Sequence, residues 1–99
     1  MDLQIVGKHI EITDALKTHI TEKLTPIKQR FNKITQIRVS LHLDNANQIA
    51  EMNIHFDGTE IHAKSSSADM YHSVDLVIEK IMAQLVKHKD KLIDQHHHR

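Results

Sequence analysis

The chain has 99 residues, no cysteine, no tryptophan, and a formal net charge of zero from 13 basic and 13 acidic residues. This length allows one domain with a single core, and the lack of cysteine excludes disulfides and thiolate chemistry. Two phenylalanines and one tyrosine are too few rings to bind single-stranded nucleic acid by stacking. No signal peptide and no membrane span are recognisable in the sequence, so a cytoplasmic protein is expected.

The first part of the chain predicts a strand followed by a helix. Residues 3–7 have the alternation of a short strand. Thr13 is a suitable N-cap, and apolar residues then recur at helical spacing to about residue 31. Pro26 lies inside this stripe and has no backbone N–H to donate, so we expect it to kink the helix or to split it at Thr25.

Three antiparallel strands are predicted in the middle of the chain. Residues 36–43 and 49–56 alternate apolar and polar side chains, which is typical of half-buried strands. Asp57-Gly58 is a two-residue hairpin signal. The register that it sets places apolar side chains opposite apolar ones and pairs opposite charges. The serine run 65–67 is expected to connect the last strand to the final helix.

Residues 69–92 form the most informative segment, because they predict one long helix with separate apolar and basic stripes. The apolar stripe predicts a face buried against a core. Lys80, Lys87 and Lys91 fall on a second, narrower stripe, with Gln84 beside them. A helix that closes a core and also carries a lysine row suggests a small module that lies against phosphates.

Basic residues are concentrated in the two helices although the net charge is zero. Residues 17–33 carry five cations and one acid, and residues 80–92 carry four lysines and one acid. Residues 35–67 have two cations against four acids. A local field of this kind can attract a polyanion. The alternative, which the sequence leaves open, is that these lysines only offset the helix macrodipoles.

The order of elements, β-α-β-β-β-α, predicts an α+β fold with a four-stranded mixed sheet. The first strand-helix-strand unit favours a right-handed crossover with parallel strands, and both helices should cover the apolar face of the sheet. The helices would then be roughly parallel, with their basic C-terminal halves at one end forming, in part, one patch. We expect a single domain over residues 1–93 and a disordered tail over residues 94–99.

Metal binding and catalysis are the other functions that the residues could support. His42, His55 and His62 share the outer sheet face and could ligate zinc, but neighbouring polar partners favour ordinary cross-strand pairs. Neither a phosphate loop, nor a dinucleotide fingerprint, nor a nucleophile elbow occurs. No metal site, no cofactor and no enzymatic activity are therefore expected. Histidine protonation at mildly acidic pH should strengthen binding to RNA.

Several motifs resemble the ribosome hibernation promoting factor family of bacteria. They are the L-x-I-x-G and EIT-x-AL patterns near the N-terminus, the GxEIHA strand at residues 58–63, the DMY start of the last helix with Asp75 and Lys80, and its QLxKHKDKL end. The resemblance covers essentially the whole chain. It implies a fold shaped like double-stranded-RNA-binding domains and corresponds to the short form of the family, without an added dimerisation domain or long tail.

The resemblance implies binding to the small ribosomal subunit, in the channel that messenger and transfer RNA normally occupy. It also implies contact with 16S ribosomal RNA and a block of translation in stationary phase. Inactive ribosome dimers would form together with ribosome modulation factor. The protein itself is expected to be a monomer without a membrane partner. A general double-stranded-RNA-binding module is the alternative. The residues predicted to contact ribosomal RNA are Lys17, Lys23, Lys28, Arg30, Lys33, Lys80, Gln84, Lys87, His88, Lys89 and Lys91. Among these, Lys28 and Arg30 rest on charge alone, and Ala83 stands where many members of the family have arginine.

Overall fold

The computed structural model describes the backbone of residues 2–97 and the side chains of residues 2–89. Its elements are β1 (Asp2–Lys8), α1 (Asp14–Arg30), β2 (Ile34–Asp44), β3 (Asn47–Phe56), β4 (Thr59–Ser67) and α2 (Met70–His97). The strands lie in the order β1-β2-β3-β4, with β1 parallel to β2 and the other pairs antiparallel. The predicted β-α-β-β-β-α fold with a mixed sheet is confirmed.

The β3–β4 hairpin has the register that its turn residues predict. Ile54 pairs with Ile61 across the two strands. Asp57 and Gly58 both have positive φ angles, of 50° and 78°. A two-residue hairpin of type I′ has this backbone conformation at both central positions, and glycine adopts it without a steric penalty. The turn therefore decides which side chains of β3 and β4 share a face.

Helix α1 begins at the predicted residue and runs unbroken. The Oγ1 atom of Thr13 accepts a hydrogen bond from the backbone N–H of Leu16 at 3.2 Å, as expected of an N-cap. The helix spans Asp14–Arg30 with Pro26 inside it, so the expected split at Thr25 is wrong. Pro26 is exposed, and water can bond to the carbonyl that loses its partner. The buried stripe on the other side holds the helix together.

The serine run 65–67 belongs to β4, and the prediction that it is a connection is wrong. It pairs with residues 48–50 of β3. The Ser73 hydroxyl of α2, which is fully buried, donates to the backbone carbonyl of Gln48 at 2.6 Å. Its Oγ atom also lies 2.7 Å from that of Ser67. Hydroxyl groups thus satisfy backbone polar groups where β4 passes into α2. The spacing of apolar residues in the sequence does not predict these hydrogen bonds.

Ser73 offers a direct test of this junction. Replacing Ser73 by alanine removes the donor to the Gln48 carbonyl and should lower the free energy of unfolding by about 1–3 kcal/mol. Urea denaturation measures the loss. The matched control is Ser66→Ala, since Ser66 is exposed, and its effect should stay within about 0.5 kcal/mol. Equal losses for the two variants would contradict this account of the junction.

The core lies between the apolar face of the sheet and the two helices. Ile20 and Leu24 of α1 and Ile81 and Leu85 of α2 have no exposed surface, as expected of residues spaced three or four apart on a helix. Both helices cover the same sheet face, as predicted, and the other face is open. In the described part of the chain, no helix is long and apolar enough to span a membrane.

Candidate nucleic-acid interface

The C-terminal end of α1 meets the second half of α2 at one end of the sheet. Phe31, the residue that follows α1, packs edge-on against Phe56 with ring centroids 5.8 Å apart. The ring of Phe56 in turn contacts that of His88 on α2, with centroids 5.4 Å apart. The end of α1, the end of β3 and the C-terminal part of α2 are therefore adjacent. The helices run in the same direction, as predicted.

Two cations of the predicted interface lie over the ring of Phe31. The guanidinium carbon of Arg30 is 5.2 Å from the ring centroid, and the Nζ atom of Lys89 is 5.6 Å from it. Both distances allow a cation–π contact, and both side chains are exposed. The ring thus joins one cation from each helix. We call Arg30 and Lys89 the helix-end cluster.

The side of α1 that faces α2 extends this cluster. His19 Nε2 and Asp75 Oδ1 are 2.8 Å apart, which links the two helices, and the exposed Tyr71 packs edge-on against the His19 ring at 5.0 Å. Lys23 lies one turn after His19 on the same side of α1, and Arg30 lies two turns further. Lys23 therefore continues the helix-end cluster along the boundary between the helices.

A second basic surface follows the edge strand β4. The Nζ atom of Lys80 donates to the backbone carbonyl of Lys64 at 2.8 Å, and Gln84 Nε2 donates to the carbonyl of His62 at 2.9 Å. These bonds cover part of an edge that would otherwise be open to pairing with another strand. Lys87 lies one turn beyond Gln84 on the same side of α2. Lys80, Gln84 and Lys87 form what we call the edge row.

The two surfaces lie on opposite flanks of α2, which refines the prediction of one patch. Lys87 and Lys89 are two residues apart, so their side chains point to nearly opposite sides of the helix. Lys89 therefore reaches Phe31 on the α1 side, whereas Lys87 lies beside β4. The buried stripe of α2 separates the two flanks. Arg30, Lys87 and Lys89 lie at the end of the sheet where α1 ends, whereas Lys80 lies beside Lys64, further along β4.

Other predicted contact residues lie outside both groups. Lys17 and Lys28 occupy the flank of α1 that faces away from α2, and Lys28 is half-buried. Lys33 follows α1, and its Nζ atom lies 3.7 Å from the carboxylate of Asp57. Part of the Lys33 charge is therefore compensated within the protein. Lys17 and Lys28 therefore lie apart from the helix-end cluster and the edge row, whereas Lys33 lies beside Asp57, the residue that follows Phe56, at the same end of the sheet as the helix-end cluster.

His88 and Lys91 complete the predicted set. His88 packs against Phe56, and its Nε2 atom is enclosed without a hydrogen-bond partner. In this conformation that nitrogen is not accessible to a phosphate, so His88 supports the helix end from inside. The side chain of Lys91 and the tail over residues 94–99 fall outside the described side chains. A contact through Lys91 stays a prediction, as does disorder of residues 98 and 99, whereas the backbone of residues 94–97 continues α2.

The histidines of the open sheet face lie against carboxylates. The hairpin register predicts the pair of His55 with Glu60, whereas His62, which stands opposite Asn53, reaches Glu51 diagonally. His62 Nε2 lies 3.2 Å from Glu51 Oε2, and His55 Nδ1 lies 3.0 Å from Glu60 Oε1. Among the side chains that the structure describes, no three histidine, cysteine, aspartate or glutamate residues are arranged to hold a metal ion. The pairs account for the conspicuous histidine content of the sheet.

Known proteins share the sequence and the fold of this chain. A family model described as sigma 54 modulation protein / S30EA ribosomal protein matches residues 3–93. The chain belongs to this family. A ribosome hibernation promoting factor of Klebsiella oxytoca is 42% identical over 92 residues, which cover 93% of this chain and 97% of that protein. The factor of Escherichia coli K12 is 40% identical with the same coverage.

Solved structures of similar proteins have the same architecture. The structure of a ribosomal subunit interface protein from Coxiella burnetii superimposes with a TM-score of 0.82 and 31% identity, over 91% of this chain and 99% of that one. The N-terminal domain of protein Y from Thermus thermophilus has a TM-score of 0.76 and 24% identity, over 85% and 94% of the two chains, and shows the fold alone. Membership of the S30EA family confirms the resemblance that the sequence motifs indicate.

Proposed function

We propose that this protein is a ribosome hibernation factor that binds the small ribosomal subunit and blocks translation. The observation that carries the proposal is the family match over residues 3–93, together with relatives named ribosome hibernation promoting factor at 40–42% identity. Those relatives are covered almost end to end by this chain. The proposed site on the ribosome is the channel that messenger and transfer RNA occupy during translation.

The basic surfaces supply a physical basis for this binding. Lysine and arginine side chains that neutralise RNA phosphates release condensed counterions, which favours association. The helix-end cluster and the edge row offer such cations on two flanks of one helix, so a single molecule can contact phosphates on two sides. The described residues offer few exposed rings for stacking on bases, and recognition would therefore follow the shape and backbone of the RNA.

The mechanism that we propose is steric occupancy. A folded domain in the channel would exclude messenger and transfer RNA, and neither catalysis nor a cofactor is needed for this effect. The finer parts of the proposal are contact with 16S ribosomal RNA, action as a monomer in the cytoplasm, and formation of inactive ribosome dimers together with ribosome modulation factor. The family resemblance supports each of these parts, and the cationic surfaces of this chain support the contact with ribosomal RNA.

Salt dependence and competition test the proposal against general binding to duplex RNA. We expect affinity for purified small subunits to fall by about 100-fold or more between 50 and 200 mM salt, as for a protein with several phosphate contacts. An excess of a short RNA duplex should displace little of the bound protein. Complete displacement by the duplex would favour the general binder, and weak salt dependence would contradict phosphate contacts.

A further inference from the structure

The open face of the sheet carries histidines placed directly on carboxylates. Glu51 of β3 lies between two imidazoles, with His42 Nδ1 at 4.0 Å from Oε1 and His62 Nε2 at 3.2 Å from Oε2. His55 contacts Glu60 at 3.0 Å on the same face. The side chains of these histidines are between a quarter and about half exposed, so solvent protons reach them. This group of five side chains is the sheet-face array.

The charged side chains around the array almost balance. The same face carries the cations Lys8, Arg38 and Lys64 and, besides the two glutamates, the carboxylates Asp2 and Asp44. Four carboxylates against three cations leave the described face at a net charge of minus one while its histidines are neutral. Histidine is the side chain that commonly gains a proton between pH 8 and pH 5. Three added protons would change the sign of the face to plus two.

We propose that the open sheet face is a second, pH-gated surface for the RNA backbone. Protonated His42 and His62 would cover both oxygens of Glu51, and protonated His55 would cover Glu60. The carboxylates that repel phosphates would then be neutralised, and the cations of the face would be free to attract them. The inference deepens the proposed ribosome-binding function and rests on it.

The chemistry of the face favours an RNA backbone over a protein partner. Asn53 and Gln36 lie beside Arg38 on the face and can donate hydrogen bonds to phosphate and sugar oxygens. The largest exposed apolar side chain of the face is Val6, and a single valine is no apolar docking patch. The face also lies opposite the helices, so a protein in a channel lined with RNA would meet phosphates on both sides.

Binding of labelled protein to purified small subunits, followed by fluorescence anisotropy at pH 6 and pH 8, tests the inference. We expect the wild-type protein to bind about fivefold or more tightly at pH 6. The triple variant His42→Gln, His55→Gln and His62→Gln should lose this pH dependence. His72→Gln is the matched control, because His72 is exposed on α2 away from the sheet, and it should keep the dependence.

A second variant tests the inference independently, in case the triple variant does not fold. Glu51→Gln removes the carboxylate at the centre of the array and should tighten binding at pH 8 toward the wild-type value at pH 6. A triple variant with full pH dependence, or a wild-type protein with none, would overturn the inference while leaving the proposed function intact. Absence of binding at both pH values would refute the proposed function itself, and the inference with it.

Discussion

Reversing the helix-end cluster, with Arg30→Glu and Lys89→Glu together, is expected to weaken binding to the small ribosomal subunit by about 100-fold or more. Both side chains are exposed and lie over one ring, so the two substitutions place repulsive charge at a single point of the interface. Equilibrium binding at fixed salt measures the effect. The melting temperature should fall by roughly 4–16 °C, since the two exposed cation–π contacts contribute about 0.5–1 kcal/mol each and about 1 kcal/mol corresponds to about 4–8 °C in a domain of this size.

The matched comparison is Lys17→Glu with Lys28→Glu, which changes the net charge by the same amount on the other flank of α1. Because these residues lie away from both basic groups, we expect a loss of about tenfold or less, from the long-range field alone. Similar losses for the two double variants would mean that overall charge, and not the helix-end cluster, determines affinity.

Replacing Phe31 by alanine is expected to cost about 3–5 kcal/mol in the free energy of unfolding. The Phe31 side chain is 2% exposed and packs edge-on against Phe56. The chain has only two phenylalanines, so few neighbouring rings could fill the cavity. Chemical denaturation measures the loss. Phe31→Leu keeps most of the apolar volume and serves as the control, with an expected loss below about 1.5 kcal/mol.

A loss below about 1 kcal/mol for Phe31→Ala would show that the helix end contributes little to folding. The contact chain from Phe31 through Phe56 to His88 would then be loosely packed, and the helix-end cluster would have no rigid support. The expected large loss would instead establish that the residues that position the cations are also part of the core.

Much of the fold follows from local patterns in the sequence. Thr13 has the chemistry of an N-cap and acts as one, and Asp57-Gly58 sets the register of the hairpin. Each of these features depends on neighbours in the chain. The prediction for the serine run 65–67 is wrong because its strand partners, residues 48–50, lie on the other side of the β3–β4 hairpin, and three successive serines carry no apolar alternation that would mark a strand.

The sequence predicts on which side of its helix each basic residue lies, but it does not predict which residues of the two helices come together. Helical spacing places Lys80, Gln84 and Lys87 on one side of α2, where they border β4. The position of Lys89 over Phe31 depends on how α1 and α2 pack, which periodicity does not determine. The contact between His19 and Asp75 also depends on helix packing. Its two residues are 56 positions apart, so no local sequence pattern predicts it.

Co-sedimentation with purified small ribosomal subunits, with and without bound messenger and initiator transfer RNA, tests the central claim most directly. The account predicts that the protein sediments with empty subunits and is excluded from subunits whose channel is filled. Equal binding to empty and filled subunits would place the site outside the channel and contradict steric occupancy. Failure to sediment with either form would contradict ribosome binding altogether.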